Sequence, residues 1–276
     1  MLILRRSLLG LFSLAAVAAC GGATADVASD SSAETSTEAL SSVPTSVSWN
    51  IDLENPVNLD AKADWFDIDL FDNVSTSYVS TLHQKGRKVI CYFSAGSYES
   101  NRPDKASIPK AAIGKKMDGW PEYWLDTRNV GVRAVMQKRM DLAKSIGCDG
   151  VDPDNVDGFS NDTGFALSAK TQLDYNEFLA TEAHARGLVV GLKNDVDQIG
   201  TLEPYFDFAV NESCFQYTEC DKLKPFTRAG KSVLGIEYHG VAAKKQSVCP
   251  QARSASFFTI LSEQDRLDGT YTRCTP

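Results

Sequence analysis

The sequence has few of the groups that bind transition metals, nucleic acids or nucleotide cofactors. Its 276 residues include only three histidines, and no spacing of histidine and cysteine matches a zinc site. The formal net charge of −8 disfavours binding to the polyanionic backbone of nucleic acid. No G-x-G-x-x-G pattern follows the first predicted strand, as a dinucleotide-binding fold would require. We therefore predict a protein without a cofactor, a metal or a nucleic-acid partner.

Long apolar runs are also scarce. Arg5 and Arg6 precede an apolar run over residues 8–19 that is too short for a comfortable membrane span, and no later run is long enough to cross a bilayer. This pattern is typical of a signal peptide, which we place at residues 1–19. Residues 17–21 resemble the lipobox of bacterial lipoproteins, which implies cleavage before Cys20 and a lipid on Cys20. The alternative is an ordinary signal peptide cut near Ala19 or Ala25.

Residues 20–46 contain small and polar residues with almost no large apolar ones. Such a segment cannot bury enough surface to offset its conformational entropy, so we predict a disordered tether. Residues 47–276 remain, and their length suits one domain. We expect an exported monomer that is attached to the bacterial cell envelope through its lipid only, or a secreted protein if the lipid is absent.

Six of the seven cysteines remain after Cys20, and an even number in an exported protein favours disulfides over metal ligation. Two pairs are candidate disulfides: Cys214 with Cys220, and Cys249 with Cys274. Cys91 and Cys148 are either two buried thiols or a third pair.

Apolar strand-like runs alternate with helix-like segments that end at glycine, which predicts a parallel sheet. The predicted strands are Val47–Leu53, Trp65–Phe71, Lys88–Phe93, Gly150–Asp154, Leu188–Lys193, Phe206–Asn211, Ser232–Tyr238 and Phe257–Leu261. The predicted helices are Val74–Lys85, Val130–Ile146 and Ser168–Arg186. Eight strands indicate an α/β fold of the (β/α)8 TIM-barrel type, with an open doubly wound sheet as the rival.

Polar side chains stand at the ends of successive predicted strands, where a TIM barrel carries its active site. The fourth strand ends in three carboxylates, Asp152, Asp154 and Asp157. Carboxylates repel one another and resist desolvation, so a cluster of them indicates a function. The other strand ends contribute Asp67, Asp69, Asp72, Tyr92, Ser94, Lys193, Asn194, Asn211, Glu212, Glu237 and Tyr238.

Aromatic residues lie in the long connection after the third strand, at Trp120, Tyr123 and Trp124. Indole rings at the mouth of a cleft stack well on the faces of sugars. The alternative is that one of these rings packs the connection onto the barrel.

The ordered motifs of the chain resemble those of glycoside hydrolase family 114, which contains the endo-α-1,4-polygalactosaminidases. The motifs are Asp67-Ile-Asp-Leu-Phe-Asp72, Cys91-Tyr-Phe-Ser-Ala-Gly-Ser97, Gly119-Trp-Pro, Trp124-Leu-Asp126, Gly150-Val-Asp-Pro-Asp-Asn-Val-Asp157, Gly191-Leu-Lys-Asn194, Asn211-Glu-Ser-Cys214 and Glu237-Tyr238. The resemblance implies a (β/α)8 barrel that cleaves inside a galactosamine-containing polysaccharide. It also implies a catalytic pair at Asp154 and Glu212.

Glycosidic cleavage needs one carboxylate facing the anomeric carbon and one carboxylic acid at the leaving oxygen. We assign Asp154 as the nucleophile and Glu212 as the acid/base, with Lys193 as an ion-pair partner of either. The expected substrate-binding residues are Asp69, Tyr92, Asp152, Asp157, Lys193, Asn194, Glu237, Tyr238, Trp120 and Trp124. In a polygalactosaminidase, the further acids would bind hydroxyl groups or the ammonium of the sugar.

Two other classes of function remain open from the sequence. One is a carbohydrate-binding lipoprotein on the same barrel without catalysis. The other is a cation-binding protein that uses Asp152, Asp154 and Asp157. The spacing of these three resembles a calcium loop, but the glycine and the bidentate glutamate of that loop are missing at the required offsets.

Overall fold

Eight parallel strands form the central sheet, in the order in which they occur along the chain. The computed structural model describes residues 48–72, 77–265 and 267–274. The strands are β1 (Trp49–Asp52), β2 (Trp65–Asp69), β3 (Lys88–Ser94), β4 (Gly150–Asp154), β5 (Val189–Lys193), β6 (Phe208–Glu212), β7 (Ser232–Tyr238) and β8 (Phe257–Ser262). Each overlaps one predicted strand, so the prediction of a (β/α)8 barrel is confirmed.

Helices connect the strands on the outside of the sheet. They are α1 (Tyr78–Gln84), α2 (Val130–Ile146), α3 (Ala169–Ala185), α4 (Ile199–Leu202), α5 (Cys214–Tyr217), α6 (Lys224–Arg228) and α7 (Val241–Ser254). Single 3₁₀ turns occur at Lys105–Ser107, Lys110–Ala112, Gly158–Ser160, Glu203–Tyr205 and Cys220–Leu223. The two long predicted helices agree with α2 and α3, and residues 74–76 of the first predicted helix lie outside the described residues.

Capping groups fix both ends of α2 and the start of α3. The Asn129 side chain accepts a hydrogen bond from the backbone of Gly131 at the start of α2. Gly147 ends α2 with a φ of +94°, a conformation that glycine adopts without steric cost. Ser168 and Thr171 form a reciprocal capping box at the start of α3.

The C-terminal segment closes the barrel between β8 and β1. Its short strand Thr272–Arg273 pairs antiparallel with β8. Arg273 also donates to the backbone oxygen of Trp49 at 3.2 Å and to Asn50 Oδ1 at 2.7 Å, both on β1. The Trp49 indole donates to the backbone oxygen of Phe258 on β8 at 2.6 Å. The junction between β8 and β1 therefore depends on side-chain hydrogen bonds and on the last residues of the described chain.

Alternation along each strand divides the buried residues between two clusters. One cluster fills the lower barrel interior, with Trp49, Trp65, Phe208 and other inward residues in contact. The other cluster packs the outer face of the sheet against the helices. Every second side chain along a strand points to the same face of the sheet. The side chains two positions after the interior apolar residues therefore also point inward. The upper barrel interior is consequently the place where the polar strand-end residues meet.

The connection from β3 to β4 contains a small antiparallel sheet that the sequence analysis did not predict. Its strands are Ser97–Glu99, Ile113–Lys116 and Glu122–Leu125, and the last of these lies in the middle. This sheet stands beside the carboxyl ends of the barrel strands. It supplies Glu122 and Trp124 to the wall of the cleft described below.

Three disulfides link the six cysteines of the described chain: Cys91–Cys148, Cys214–Cys220 and Cys249–Cys274. Both predicted disulfides are present, and Cys91 and Cys148, which the sequence left open, form the third. The first disulfide joins β3 to Cys148, which lies two residues before β4. Among the described residues, none of the helices has the length and apolar character that a membrane span requires.

The Cys91–Cys148 disulfide should contribute more to stability than the Cys214–Cys220 disulfide, because it closes a longer chain segment. Their sequence separations are 57 and 6 residues. Loop-closure entropy predicts losses of about 4 and about 2 kcal/mol on removal. Urea unfolding of the Cys91→Ala/Cys148→Ala and Cys214→Ala/Cys220→Ala variants measures both values. Equal losses would contradict this entropic account.

Candidate active site

The carboxyl ends of the strands surround a cleft of about 1070 Å³. Among its lining residues are Tyr92, Asp154, Lys193 and Glu212, which stand on β3, β4, β5 and β6. The parallel register places these strand ends at one edge of the sheet. Residues that are far apart in the sequence therefore share one site.

Lys193 is the central cation of this site. Its side chain is only 2% exposed, and its Nζ lies 3.3 Å from Asp154 Oδ2 and 3.6 Å from Glu212 Oε2. These two carboxylate oxygens are thus no more than about 7 Å apart, which is the sum of the two distances. Burial alone would lower the pKa of the Lys193 ammonium, but the neighbouring carboxylates, Asp154 first, raise it above its usual value. Lys193 is therefore charged at every physiological pH.

Donor groups fix the carboxylate of Asp154. The Tyr92 hydroxyl donates to its Oδ2 at 2.8 Å, and the Asn155 backbone N–H donates to its Oδ1 at 2.7 Å. Burial raises the pKa of Tyr92, so this hydroxyl keeps its proton. A Cβ on Gly96 would lie 1.7 Å from the Asn155 carbonyl oxygen. Only glycine lets the chain after β3 approach Asp154 this closely.

Glu212 has its own set of donors. The Tyr238 hydroxyl donates to its Oε1, and the Asn194 amide donates to its Oε2 at 3.2 Å. Asn194 also accepts the backbone N–H of Glu212 at 2.9 Å, with a φ of +51° that turns the chain sharply after β5. Burial raises the pKa of Tyr238, so its hydroxyl remains a donor. The Glu212 carboxylate is consequently held beside Lys193 and still faces the cleft.

Asp67 and Asp152 form a buried pair beneath Lys193. Both side chains are fully buried, and no third residue of the described protein donates a hydrogen bond to either of them. Burial, then the charge of Asp152, raises the pKa of Asp67 well above its usual value. Burial raises the pKa of Asp152 to about 7, against the opposing effect of Lys193. Two buried carboxyl groups this close do not both ionise, so Asp67 keeps its proton to a higher pH than an exposed aspartate, and its O–H can donate to Asp152.

Asp157 and Asp195 are a second pair of acids with raised pKa values. Burial and the charge of Asp154 raise the pKa of Asp157 to about 6. Burial and the charge of Asp157 raise the pKa of Asp195 to about 8. The Asn176 amide donates to Asp195 Oδ2 at 2.8 Å. These acids border a further cavity of about 360 Å³ that Glu212 also lines.

The other predicted substrate-binding residues divide into those that line the cleft and those that lie behind it. Asp69 and both tryptophans line it; Trp120 is 51% exposed, whereas Trp124 is 8% exposed and packs the connection onto the barrel. Asp152 and Glu237 line neither cavity. Glu237 accepts the Phe215 backbone N–H at 2.8 Å and so orients the chain after Glu212. Because neither side chain reaches a cavity, we expect Asp152 and Glu237 to act through neighbouring residues and not by contact with the substrate.

Sequence reasoning missed an arginine–carboxylate network at the edge of the cleft. Arg102 lies 2.7 Å from Asp69 Oδ2 and 2.6 Å from Glu99 Oε1. Arg102 and Glu99 stand in the connection after β3, where no strand end marks them. Glu122 was missed for the same reason, and it accepts the hydroxyl of Ser97. The alternating Ser97-Tyr98-Glu99 is a short strand signal that could have indicated Glu99, whereas no comparable pattern marks Arg102 or Glu122.

The three aspartates of the β4 motif point to different places and do not form a cation site. Asp152 faces downward to Asp67, Asp154 is held by Lys193 and Tyr92, and Asp157 borders both cavities. Across the part of the chain that the structure describes, no three histidine, cysteine, aspartate or glutamate side chains are arranged to hold a metal ion.

The family model for glycoside hydrolase family GH114 matches residues 29–276. The chain belongs to glycoside hydrolase family GH114. The crystal structure of Aspergillus fumigatus Ega3 in complex with galactosamine is similar, with 40% identity and a TM-score of 0.78 over 84% of this chain and 97% of that one. A search of curated proteins found no match.

The glycoside hydrolase domain of PelA from Pseudomonas aeruginosa has the same fold, with 16% identity and a TM-score of 0.63 over 83% of this chain and 98% of that domain. Membership of GH114 confirms the family resemblance noted in the sequence, and the protein is a glycosidase. The predicted signal peptide, the tether and Cys20 lie outside the described residues.

Folding stability should fall as the pH rises from about 4 to about 8. The folded chain keeps protons on Asp152, Asp157 and Asp195 over a range in which the unfolded chain, with aspartate pKa values near 4, has released them. Urea unfolding at pH 5 and pH 8.5 measures this loss.

The Asp195→Asn variant should lose less stability over this pH range than the wild-type protein, because its amide does not titrate. Asp197→Asn is the control, since the Asp197 side chain is 68% exposed and paired with Lys222. An Asp195→Asn variant with the full wild-type pH dependence would contradict the assignment of a raised pKa to Asp195.

Proposed function

We propose that the protein cleaves α-1,4-galactosaminidic bonds inside a galactosamine-containing polysaccharide, with Asp154 as nucleophile and Glu212 as acid/base. The observation that carries this proposal is the carboxylate pair around Lys193, at most about 7 Å apart. Two carboxyl groups on either side of a glycosidic bond are what such hydrolysis needs. The 40% identity to Ega3, whose structure contains galactosamine, supports the choice of sugar.

The charge of the cleft suits a polymer that carries ammonium groups. Ten of its lining residues are acidic and four are basic. The acidic ones are Glu54, Asp69, Glu99, Asp118, Glu122, Asp154, Asp157, Asp162, Glu212 and Asp265, and the basic ones are Arg102, Lys115, Lys116 and Lys193. An acidic cleft raises the local concentration of a cationic substrate.

In the first step, an Asp154 oxygen attacks the anomeric carbon while the bond to the glycosidic oxygen breaks. Glu212 transfers its proton to that oxygen, so the leaving chain departs as a neutral alcohol. The products are a glycosyl ester on Asp154 and an ionised Glu212. Tyr238, Asn194 and Lys193 then hold the Glu212 carboxylate.

In the second step, Glu212 takes a proton from a water molecule, and the water oxygen attacks the anomeric carbon. The ester bond to Asp154 breaks, which restores both carboxyl groups. Two displacements retain the configuration of the anomeric carbon. This two-step mechanism therefore predicts that the newly formed end of the product is first released as the α-anomer.

Cleavage within the chain of the polymer agrees with the shape of the site. A cleft of about 1070 Å³ is large for a single ligand, for which about 300–1,000 Å³ is usual. Exposed Trp120 offers an indole face at its wall. A polymer segment with several sugars can thus lie across the carboxylate pair.

The Asp154→Asn and Glu212→Gln variants should lose at least about 100-fold in kcat on partly deacetylated α-1,4-galactosamine polymer, since each removes a group that acts in the transition state. Product sizing measures cleavage, and proton NMR at early times identifies the anomer. Asp60→Asn is the control because Asp60 is a 94% exposed surface residue paired with Lys85. Wild-type rates in both variants would exclude this site.

We also propose that the protein is exported and lipidated at Cys20. Three disulfides support an oxidising compartment, since stable disulfides are rare in the cytosol. The residues before Cys20 support lipidation through their resemblance to a lipobox. With the lipid as its anchor, the hydrolase domain would act on polysaccharide at the cell envelope.

Metabolic labelling with radioactive palmitate in a bacterial host should mark the full-length protein and leave the Cys20→Ser variant unlabelled. Fractionation should recover the wild-type protein with membranes and the variant in the soluble exported fraction. Equal labelling of both proteins would show that Cys20 does not carry the lipid.

A further inference from the structure

A second cavity of about 360 Å³ adjoins the main cleft at Glu212. Asp157, Asn194 and Glu212 line both cavities, whereas Asp154 lines only the larger one. The two carboxylates of the proposed catalytic pair thus differ in their surroundings. Asp154 faces one cavity, and Glu212 stands at the junction of two.

This difference assigns a direction to the bound polymer, on the basis of the proposed function. The sugar that is attacked must lie against the nucleophile Asp154, in the larger cleft. The proton donor Glu212 stands next to the oxygen that joins this sugar to the leaving one. The leaving sugar therefore lies beyond Glu212, where the second cavity is. A cavity of this size is near the lower end for ligand sites, at about 300 Å³, which suits one sugar ring.

Tyr217 provides this second cavity with an aromatic surface. It is 67% exposed although it is a large aromatic residue, and it lines the cavity. It ends helix α5, only five positions after Glu212, inside the loop that the Cys214–Cys220 disulfide closes. The Tyr217 backbone N–H also donates to the Ser213 oxygen at 3.0 Å. An exposed aromatic ring on a covalently closed loop can stack on a sugar face at little cost in conformational entropy.

The charges of the second cavity favour a sugar with an ammonium group. Five of its lining residues are acidic and none is basic: Asp157, Asp195, Asp197, Glu212 and Glu219. Asp195 mostly keeps its proton at neutral pH, because its pKa is about 8. Lys222 forms ion pairs with Asp197 and Glu219, which compensates those two. Within the described structure, neither Asp157 nor Asp195 forms an ion pair, and the 4% exposed Asp195 has an Oδ1 atom without a hydrogen bond.

We propose that the second cavity binds the first sugar on the leaving-group side of the cleaved bond, as a galactosamine residue. Its ring face lies on Tyr217, and its ammonium group lies near Asp157. The disulfide-closed loop after Glu212 is then part of the substrate site.

A comparison of two substrates tests the role of Tyr217. A galactosamine oligomer places a sugar in the second cavity, whereas an oligogalactosaminyl fluoride has a single atom as its leaving group. Tyr217→Ala should lower kcat/KM about five- to tenfold on the oligomer, the usual scale of an aromatic contact, and less than about twofold on the fluoride. Tyr217→Phe should keep most of the activity on both. Tyr205→Ala is the surface control, because Tyr205 is 40% exposed and lines neither cavity.

Equal losses on both substrates, or no loss on the oligomer, would overturn the assignment of Tyr217 to the leaving-group side. A wild-type protein that cleaves neither substrate would overturn the proposed function itself. A protein that cleaves both substrates with no difference between the variants would overturn the subsite alone.

A second pair of oligomers tests the charge. They differ only in whether the leaving-side sugar carries a free amine or an N-acetyl group. The wild-type protein should prefer the free amine, and Asp157→Asn should reduce this preference at least about threefold. The ratio of kcat/KM values separates this effect from any general loss of activity in the variant. An unchanged ratio would exclude Asp157 as the partner of the ammonium.

Discussion

The ion cluster around Lys193 is the interaction on which the rest of the site depends. Burying an ammonium in a barrel interior is costly unless carboxylates compensate it. Lys193 is 2% exposed and has Asp152, Asp154 and Glu212 within 4.0 Å. Removing the lysine would leave these acids in mutual repulsion, and removing the acids would leave a buried cation unpaired. Each partner is therefore required by the others, and the barrel places them on three neighbouring strands.

A single fixed cation between two carboxyl groups suits a two-step displacement. Before the first step of the proposed mechanism, Asp154 is ionised and Glu212 is protonated. After it, Asp154 is an uncharged ester and Glu212 is ionised. The negative charge moves from one side of Lys193 to the other, over distances to Nζ that differ by only 0.3 Å. Because the donors are already in place, little reorganisation accompanies this movement, and preorganised charge is what lowers a barrier.

The sequence predicted the barrel well, because buried parallel strands leave continuous apolar runs. It predicted the strand-end residues less completely. The alternation of side chains along a strand shows which face of the sheet a residue is on, but not how deep in the barrel it lies. Asp152 and Asp154 both point inward, yet two positions separate them by about 6.6 Å along the strand. The first is consequently fully buried, whereas the second lines the cleft. The inserted sheet escaped prediction because its strands pair across long stretches of sequence, and Tyr217 escaped because it lies after the end of its strand.

Depth also explains how so many acids coexist in one barrel. The lower pair, Asp67 and Asp152, is fully buried and holds a proton, whereas the upper pair, Asp154 and Glu212, faces the cleft among hydrogen-bond donors. If Asp67 were ionised, Lys193 would have to compensate the lower acids as well, and its support of the upper pair would weaken. When Asp67 is neutral, Asp152 is the one acid of the lower pair whose charge Lys193 has to compensate. The protonated lower layer therefore leaves more of the Lys193 charge for the upper carboxylates.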